Sequence, residues 1–243
     1  MAIMLLIVSC GPKASENNSK QALPYYSDAS FTPHWYEKGD EALDRFHEIP
    51  AFELTNPNGE TITQSDLDGR IYVADFFFTT CPGICPKMTS NMGLIQEAFS
   101  QDDQVKLVSY SVTPEIDGVA QLANYAEAKG VNADQWHLLT GNRQTIYHLG
   151  RKAYFVEEDL GLEKTDDEFL HTENFVLIDP NRHIRGIYNG LNKGSVQQLI
   201  KDIKTLKEEF SAEARTCRPA GSASSGGTPG TSSSRSSRRP TRR

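Results

Sequence analysis

The sequence predicts an α/β fold in which a mixed central sheet is flanked by helices. An apolar run over residues 71–78 is typical of a strand buried on both faces of a sheet, and residues 105–112 indicate a second strand. Between and after them lie stretches whose apolar residues recur at helical spacing. Strands that alternate with helices in this way indicate a sheet covered on both faces.

The remaining elements are predicted from local patterns, in chain order. Residues 52–55 and 60–63 flank the turn Asn56-Pro57-Asn58-Gly59 and indicate a hairpin before the main sheet. Helices are predicted over 83–100, over 119–129, which stops at Gly130, over 144–150, and over 195–210 as the closing helix. A strand and turn are predicted over 136–141 and a short strand over 153–156. Residues 174–179 and 184–188 are predicted to pair as a hairpin. This order, with its extra N-terminal hairpin, is the thioredoxin-like layout.

The two ends of the chain differ in composition from its middle. Residues 1–8 are apolar, and Ile7-Val8-Ser9-Cys10 resembles a bacterial lipoprotein processing box. We therefore expect a signal peptide at 1–9 and a lipidated Cys10 that anchors the protein to the membrane outside the cytoplasm, in the bacterial cell envelope or periplasm. A short cytoplasmic leader is the alternative. Residues 10–45 are expected to form a tether and surface arm, 46–212 the folded domain, and 213–243 a disordered basic tail rich in Ser, Gly and Arg.

Charge and cysteine content narrow the function. The chain has 25 basic and 32 acidic residues and a formal net charge of -7, although seven arginines and no acid follow Glu213. The folded part is therefore strongly acidic, which argues against nucleic acid as a partner. The four cysteines do not form a disulfide framework, because Cys10 and Cys217 lie in the terminal segments. Only Cys81 and Cys85 belong to the predicted domain.

The pair lies in Cys81-Pro82-Gly83-Ile84-Cys85-Pro86, where the strand over 71–78 gives way to a helix. A spacing of four residues puts both sulfurs on one side of a helical turn, and a helix N-terminus favours thiolate. Thiolates are suitable ligands for Cu(I) or Zn(II), but two thiolates alone leave the coordination of either ion incomplete. The same pair can close into a disulfide, so both chemistries stay open from these residues.

A third metal ligand would have to come from another part of the chain. His171 is the candidate, because it stands just before the predicted strand over 174–179, and the loop entering that strand should face the start of the cysteine helix. A polar histidine at a strand entrance would occupy the same position without binding metal. The other five histidines are expected to be surface or structural residues: His34, His47, His137, His148 and His183. Met88 and Met92 are expected to belong to the core.

These residues resemble a known family. The run from Asp75 to Pro86 resembles the signature of the Sco/SenC family of copper-binding proteins, as do 111–115, 139–141 and the stretch from His171 to Pro180. The resemblance covers about residues 48–207. Gly83 and Thr113 depart from it, since the family commonly has acidic residues there.

The resemblance implies a thioredoxin-like fold and one copper ion, Cu(I) or Cu(II), bound by Cys81, Cys85 and His171. It also implies delivery of copper to the binuclear copper centre of cytochrome c oxidase, or maintenance of its thiols. The copper-bearing subunit of that oxidase is then the expected partner, and the protein is expected to be a metallochaperone rather than an enzyme.

A thiol–disulfide oxidoreductase that uses Cys81 and Cys85 is the main alternative. Redox proteins of this fold usually have two residues between the cysteines, and here there are three. They also usually carry a proline facing the cysteines, and no proline occurs between Pro114 and Pro180. Both features favour metal binding. A zinc site and an extracytoplasmic peroxidase remain further alternatives.

Overall fold

The computed structural model describes residues 22–37, 40–156, 170 and 172–216. The strands are β1 (Glu53–Thr55), β2 (Thr61–Thr63), β3 (Ile71–Phe77), β4 (Val105–Ser111), β5 (Trp136–Leu139), β6 (Asn174–Ile178) and β7 (Ile184–Asn189). The helices are α1 (Cys85–Ala98), α2 (Val119–Lys129), α3 (Arg143–His148) and α4 (Lys193–Thr216). Short 3-10 turns occur at Glu41–Arg45 and Gln64–Asp66, and a π-helical turn at Leu149–Ala153.

Five strands form one mixed sheet in the order β5-β4-β3-β6-β7, and β1 pairs with β2 as a separate hairpin. Strands β3, β4 and β5 are parallel, whereas β6 runs antiparallel to β3 and β7 antiparallel to β6. The register pairs Ala74 with Val176, so β6 begins at the edge where β3 ends. We call this the cysteine edge, because Cys81 follows β3 there. The predicted mixed sheet and N-terminal hairpin are confirmed.

Strand β3 is buried along its whole length, and its side chains alternate between two apolar clusters. Tyr72 and Phe76 face one cluster, and Phe77 faces the other, together with Met88 and Met92 of α1. Both methionines are fully buried, which confirms their expected core role. Each such side chain contributes about 1.5–3 kcal/mol of apolar burial, which fixes α1 beneath the cysteine edge.

Two local predictions need correction. The predicted strand over 153–156 is wrong. Its amides bind the preceding turn, since Tyr154 N–H donates to the Leu149 carbonyl (2.8 Å) and Val156 N–H to the Gly150 carbonyl (3.0 Å). These groups are therefore not available to a sheet ladder. Helix α1 begins at Cys85 rather than at 83, with a proline in its first turn.

The N-terminal arm lies against strand β7. Tyr26 N–H donates to the Ile184 carbonyl (3.1 Å), and the Arg185 guanidinium donates to the carbonyls of Leu23 (2.7 Å) and Pro24 (3.2 Å). The start of β7 lies at the edge opposite the cysteines, because β7 runs in the same direction as β3. The arm therefore enters the domain at the opposite pole. None of the helices in the described part of the chain is long and apolar enough to cross a membrane.

Candidate metal centre

Cys81 and Cys85 lie together where β3 ends and α1 begins. Cys85 is the first residue of α1, whereas Cys81 lies in the turn before it, so only one of the two is helical. Both are free thiols joined by a side-chain hydrogen bond. Cys85 is 4% exposed and Cys81 is half-buried, so a reactant approaches the pair from the Cys81 side.

Cys81 is the more acidic thiol. Its partial burial acts to raise its pKa, but hydrogen bonds from the backbone and thiol of Cys85 and from the backbone amides of Gly83 and Ile84 outweigh that effect. The net result is a pKa below the ordinary value of a thiol. The helix start thus favours thiolate at Cys81, as its sequence position indicates.

The pKa of the Cys85 thiol is shifted in the opposite direction, above its ordinary value. Burial is the largest cause that raises the pKa of its thiol, to about 12, and the nearby negative charges of Cys81 and Asp75 raise it further, while a hydrogen bond from the Phe78 backbone opposes them. The pair therefore presents one thiol that releases its proton more readily than usual and one that holds its proton more tightly. Either a metal ion or disulfide formation must displace that proton.

Asp75 is a buried acid beneath the pair, which the sequence reasoning missed. It is 1% exposed, lies in the middle of β3, and accepts a hydrogen bond from the Ser109 hydroxyl, which in turn accepts one from the Trp136 indole N–H (2.8 Å). Burial raises the pKa of Asp75 to about 7. The available signal was a single charged residue inside the apolar run over 71–78.

Asp117 is a second buried acid that the sequence reasoning missed. It accepts hydrogen bonds from the Thr79 amide (3.0 Å) and hydroxyl (2.5 Å), and from the hydroxyls of Ser111 (2.6 Å) and Thr113 (3.1 Å). Because Thr79 stands two residues before Cys81, Asp117 holds the cysteine turn against the loop after β4. An acid between a buried strand and a helix was the available signal.

His171 and Cys10 lie outside the described residues, but the chain on both sides of His171 is described. Leu170 is fully buried and Thr172 is 9% exposed. The amide side chain of Asn91 in α1 donates to the Gly190 carbonyl (2.6 Å), and the Gly190 amide donates to the Glu173 carbonyl (2.7 Å). The segment entering β6 is thus bound to the same helix that carries Cys85.

The other described histidines have structural surroundings. His47 shares a hydrogen bond with the Ala153 carbonyl (2.7 Å), and His183 is buried beside the rings of Tyr25 and Phe46 at the opposite pole. Within residues 22–37, 40–156, 170 and 172–216, no group of three or more His, Cys, Asp or Glu side chains is arranged to hold a metal ion. A third ligand for Cys81 and Cys85 would therefore come from outside these residues or from a partner.

Comparison with known proteins identifies relatives of this chain. The SCO1 protein homolog of Bacillus subtilis (strain 168) is 31% identical over 163 residues, which cover 65% of this chain and 82% of the relative. A putative copper-binding protein of Stutzerimonas stutzeri is 28% identical over 66% of this chain and 79% of its own length.

Solved structures agree with the sequence relatives. BsSco, a member of the Sco family of cytochrome c oxidase assembly proteins with an identified disulfide switch, aligns with TM-score 0.57 at 29% identity, over 67% of this chain and 94% of its own. A SCO1/SenC family lipoprotein from Bacillus anthracis str. Ames aligns with TM-score 0.56 at 28% identity, over 66% of this chain and 95% of its own. These alignments confirm the thioredoxin-like fold.

The SCO1/SenC family model matches residues 40–208, which spans both cysteines, the whole central sheet and most of α4. The chain belongs to the SCO1/SenC family.

Proposed function

We propose that this protein binds copper and works in the assembly of cytochrome c oxidase, by delivering copper to its binuclear centre or by keeping the thiols of that centre reduced. One observation carries the proposal most directly: two reduced thiols, unequal in acidity, lie at the cysteine edge of a SCO1/SenC chain. Two relatives support it: the Stutzerimonas stutzeri protein named as a putative copper-binding protein, and BsSco, a member of the Sco family of cytochrome c oxidase assembly proteins.

Cys81, Cys85 and His171 are the proposed ligands of one copper ion. Two thiolates and an imidazole suit trigonal Cu(I) and leave room for a further ligand in Cu(II). The hydrogen bonds that connect the Asn91 side chain of α1, through Gly190, to Glu173 support the choice of His171, which stands two residues before Glu173.

The two thiols have different roles in the proposed capture. Cys81 offers its thiolate first, because it is the more acidic and the more exposed. Cys85 then releases its proton to solvent as its sulfur joins the ion. An acceptor with more or softer ligands removes the ion by exchange at the Cys81 side. Copper affinity should therefore fall as the pH falls.

Titration of the reduced protein with Cu(I) against a chromophoric competitor tests the ligand set. Cys81→Ser and Cys85→Ser should each weaken binding severely, and His171→Ala should weaken it while leaving the fold intact. His148→Ala is the matched control, since His148 is exposed at the end of α3. Unchanged affinity in both cysteine variants would remove the copper proposal. Metal analysis of the protein as isolated would distinguish copper from zinc.

A thiol–disulfide role is the second candidate, and the unequal acidity of the two thiols favours it. The Cys81 thiolate would attack a substrate disulfide and release one substrate thiolate, and Cys85 would then displace the second and leave a Cys81–Cys85 disulfide. An external dithiol must reduce that disulfide for the next cycle. The two roles separate experimentally, because His171→Ala should impair copper binding but not the reduction of a disulfide substrate.

Membrane attachment through Cys10 is part of the same proposal. The processing box and the lipoprotein among the structural relatives support it. It places the domain, proposed as residues 46–212, outside the cytoplasm on a tether formed by 10–45. Mass spectrometry of the membrane fraction should find a lipid on Cys10, and Cys10→Ala should release the protein from membranes. A mature N-terminus other than residue 10 would refute the anchor.

A further inference from the structure

The exposed apolar side chains of the domain are concentrated beside the cysteines. In the described part of the chain, five large hydrophobic side chains are exposed: Trp35, Ile84, Leu94, Ile116 and Val119. Ile84 lies between the two cysteines, and Ile116 and Val119 flank Asp117. We call Ile84, Ile116 and Val119 the apolar rim. Exposed apolar groups that cluster at a site mark it as a contact surface.

Hydrogen bonds connect the two segments that carry the apolar rim. Asp117, next to Ile116, accepts from the amide and hydroxyl of Thr79, which stands two residues before Cys81. Gln121, two residues after Val119, donates to the same Thr79 hydroxyl (2.9 Å). Ile116 and Val119 are therefore held at a fixed position relative to the Cys81 turn rather than on an independent loop.

In the described part of the chain, few charged residues adjoin the rim, although the chain as a whole is acidic; Lys87 lies three residues after Ile84. The rim's neighbours Pro82, Gly83, Pro114 and Gly118 are uncharged, and the adjacent Glu115 pairs with Arg143 (3.8 Å). Net negative charge elsewhere on the chain would repel an acidic partner or a second copy. The side chains of the rim therefore offer a partner apolar contact.

We propose that the apolar rim is the docking surface for the protein that takes copper from Cys81. This inference rests on the proposed copper function and names the chemistry of its partner: a protein whose own copper ligands are set in an uncharged, apolar surface. The direction from which the copper site can be reached indicates which partner binds there. Cys85 is buried, so an acceptor ligand must reach the ion from the Cys81 side, where the hydrogen bonds from Thr79 hold the segment that carries Ile116 and Val119.

The test compares two acceptors of Cu(I) from the loaded protein. One is the soluble copper-binding domain of the oxidase subunit from the same organism, and the other is the small chelator bathocuproine disulfonate. Ile116→Ser and Val119→Ser should each slow transfer to the protein acceptor by about fivefold, and the double variant by more, because each removes an apolar contact. Transfer to the chelator should stay within about twofold of the wild type, since the chelator needs no docking surface.

Leu94→Ser is the matched control. It removes an exposed apolar side chain from α1, about 13 Å along the helix from Cys85, and should leave both rates unchanged. The docking surface would be overturned if Leu94→Ser slowed transfer to the protein acceptor as much as the rim variants do. It would also be overturned if the rim variants slowed transfer to the chelator equally, or did not slow transfer to the protein acceptor at all. A wild-type dimer lost in Ile116→Ser would assign the rim to self-association instead. A wild-type protein that binds no Cu(I) would overturn the copper function itself, which is a separate result.

Discussion

Replacing Asp117 with alanine tests whether this buried carboxylate supports the cysteine turn. Asp117 is fully buried and accepts four hydrogen bonds from three residues. In Asp117→Ala, the hydroxyl of Ser111 loses its acceptor in a site with no exposure to water, at a cost of about 1–3 kcal/mol. The Thr79 amide is half-buried and regains water, so it adds about 1 kcal/mol. We expect a loss of about 3 kcal/mol in the free energy of unfolding.

Urea unfolding of the reduced, metal-free protein measures this loss, and the m-value should not change. Copper affinity should fall by about tenfold in the same variant, because Thr79 loses both hydrogen bonds to Asp117, keeps only the one from Gln121, and stands two residues before Cys81. Thr113→Val is the control, since it removes one hydrogen bond (3.1 Å) from a half-buried hydroxyl without leaving a buried group unpaired. Thr113→Val should lower the free energy of unfolding by less than about 1 kcal/mol. A destabilisation below about 1 kcal/mol in Asp117→Ala would refute the reasoning.

Three further predictions concern the other buried charges and the thiols. Because folding raises the pKa of Asp75 from its ordinary value of 3.8 to about 7, the contribution of this protonated carboxyl to stability is full below pH 3.8 and is lost as the pH rises through 7. In urea unfolding, the free energy of unfolding of Asp75→Asn should therefore equal that of the wild type near pH 4 and exceed it by up to about 4 kcal/mol at pH 8. A difference that does not change with pH would contradict this. Cys81 should react with iodoacetamide at pH 7 at least about tenfold faster than Cys85, which mass spectrometry of the modified peptides measures; equal rates would argue against the unequal acidity. Arg185→Met leaves the Asp179 carboxylate without its buried guanidinium partner (3.2 Å) and should cost about 3–5 kcal/mol. Chymotrypsin should also cleave the arm faster in this variant, and an arm as resistant as in the wild type would show that other contacts hold it.

Most elements of the fold could be predicted because their signals are local. Strand β3 is apolar except for Asp75, and α2 ends at Gly130, which adopts the left-handed conformation that favours glycine. The segment at 153–156 could not be predicted in this way. Its apolar residues fit a short strand, but its amides are bound by the turn before it, and no apolar pattern reports where a hydrogen bond goes.

The candidate site was only partly predictable. The Cys81 and Cys85 motif is visible in the sequence, and so is the entry to β6 that contains His171. Asp75 and Asp117 were missed, because an acid in an apolar run or beside a turn has no function until its partners are known. Their partners lie on other strands and loops, and burial raises the pKa of Asp75 against the opposing effect of the Ser109 hydrogen bond.

The sequence by itself determined the order of strands and helices, the two thiols at a helix start and the family to which they point, since these depend on periodicity and spacing within short segments. The tertiary structure decided what the thiols can do. Thr79 and Asp117 are 38 residues apart, and Arg185 is 162 residues from the arm carbonyl of Leu23 that it binds. Burial raises the pKa of the Cys85 thiol and leaves Cys81 the accessible cysteine, and hydrogen bonds between distant residues hold the cysteine turn and direct the chain's N-terminal arm to the opposite pole.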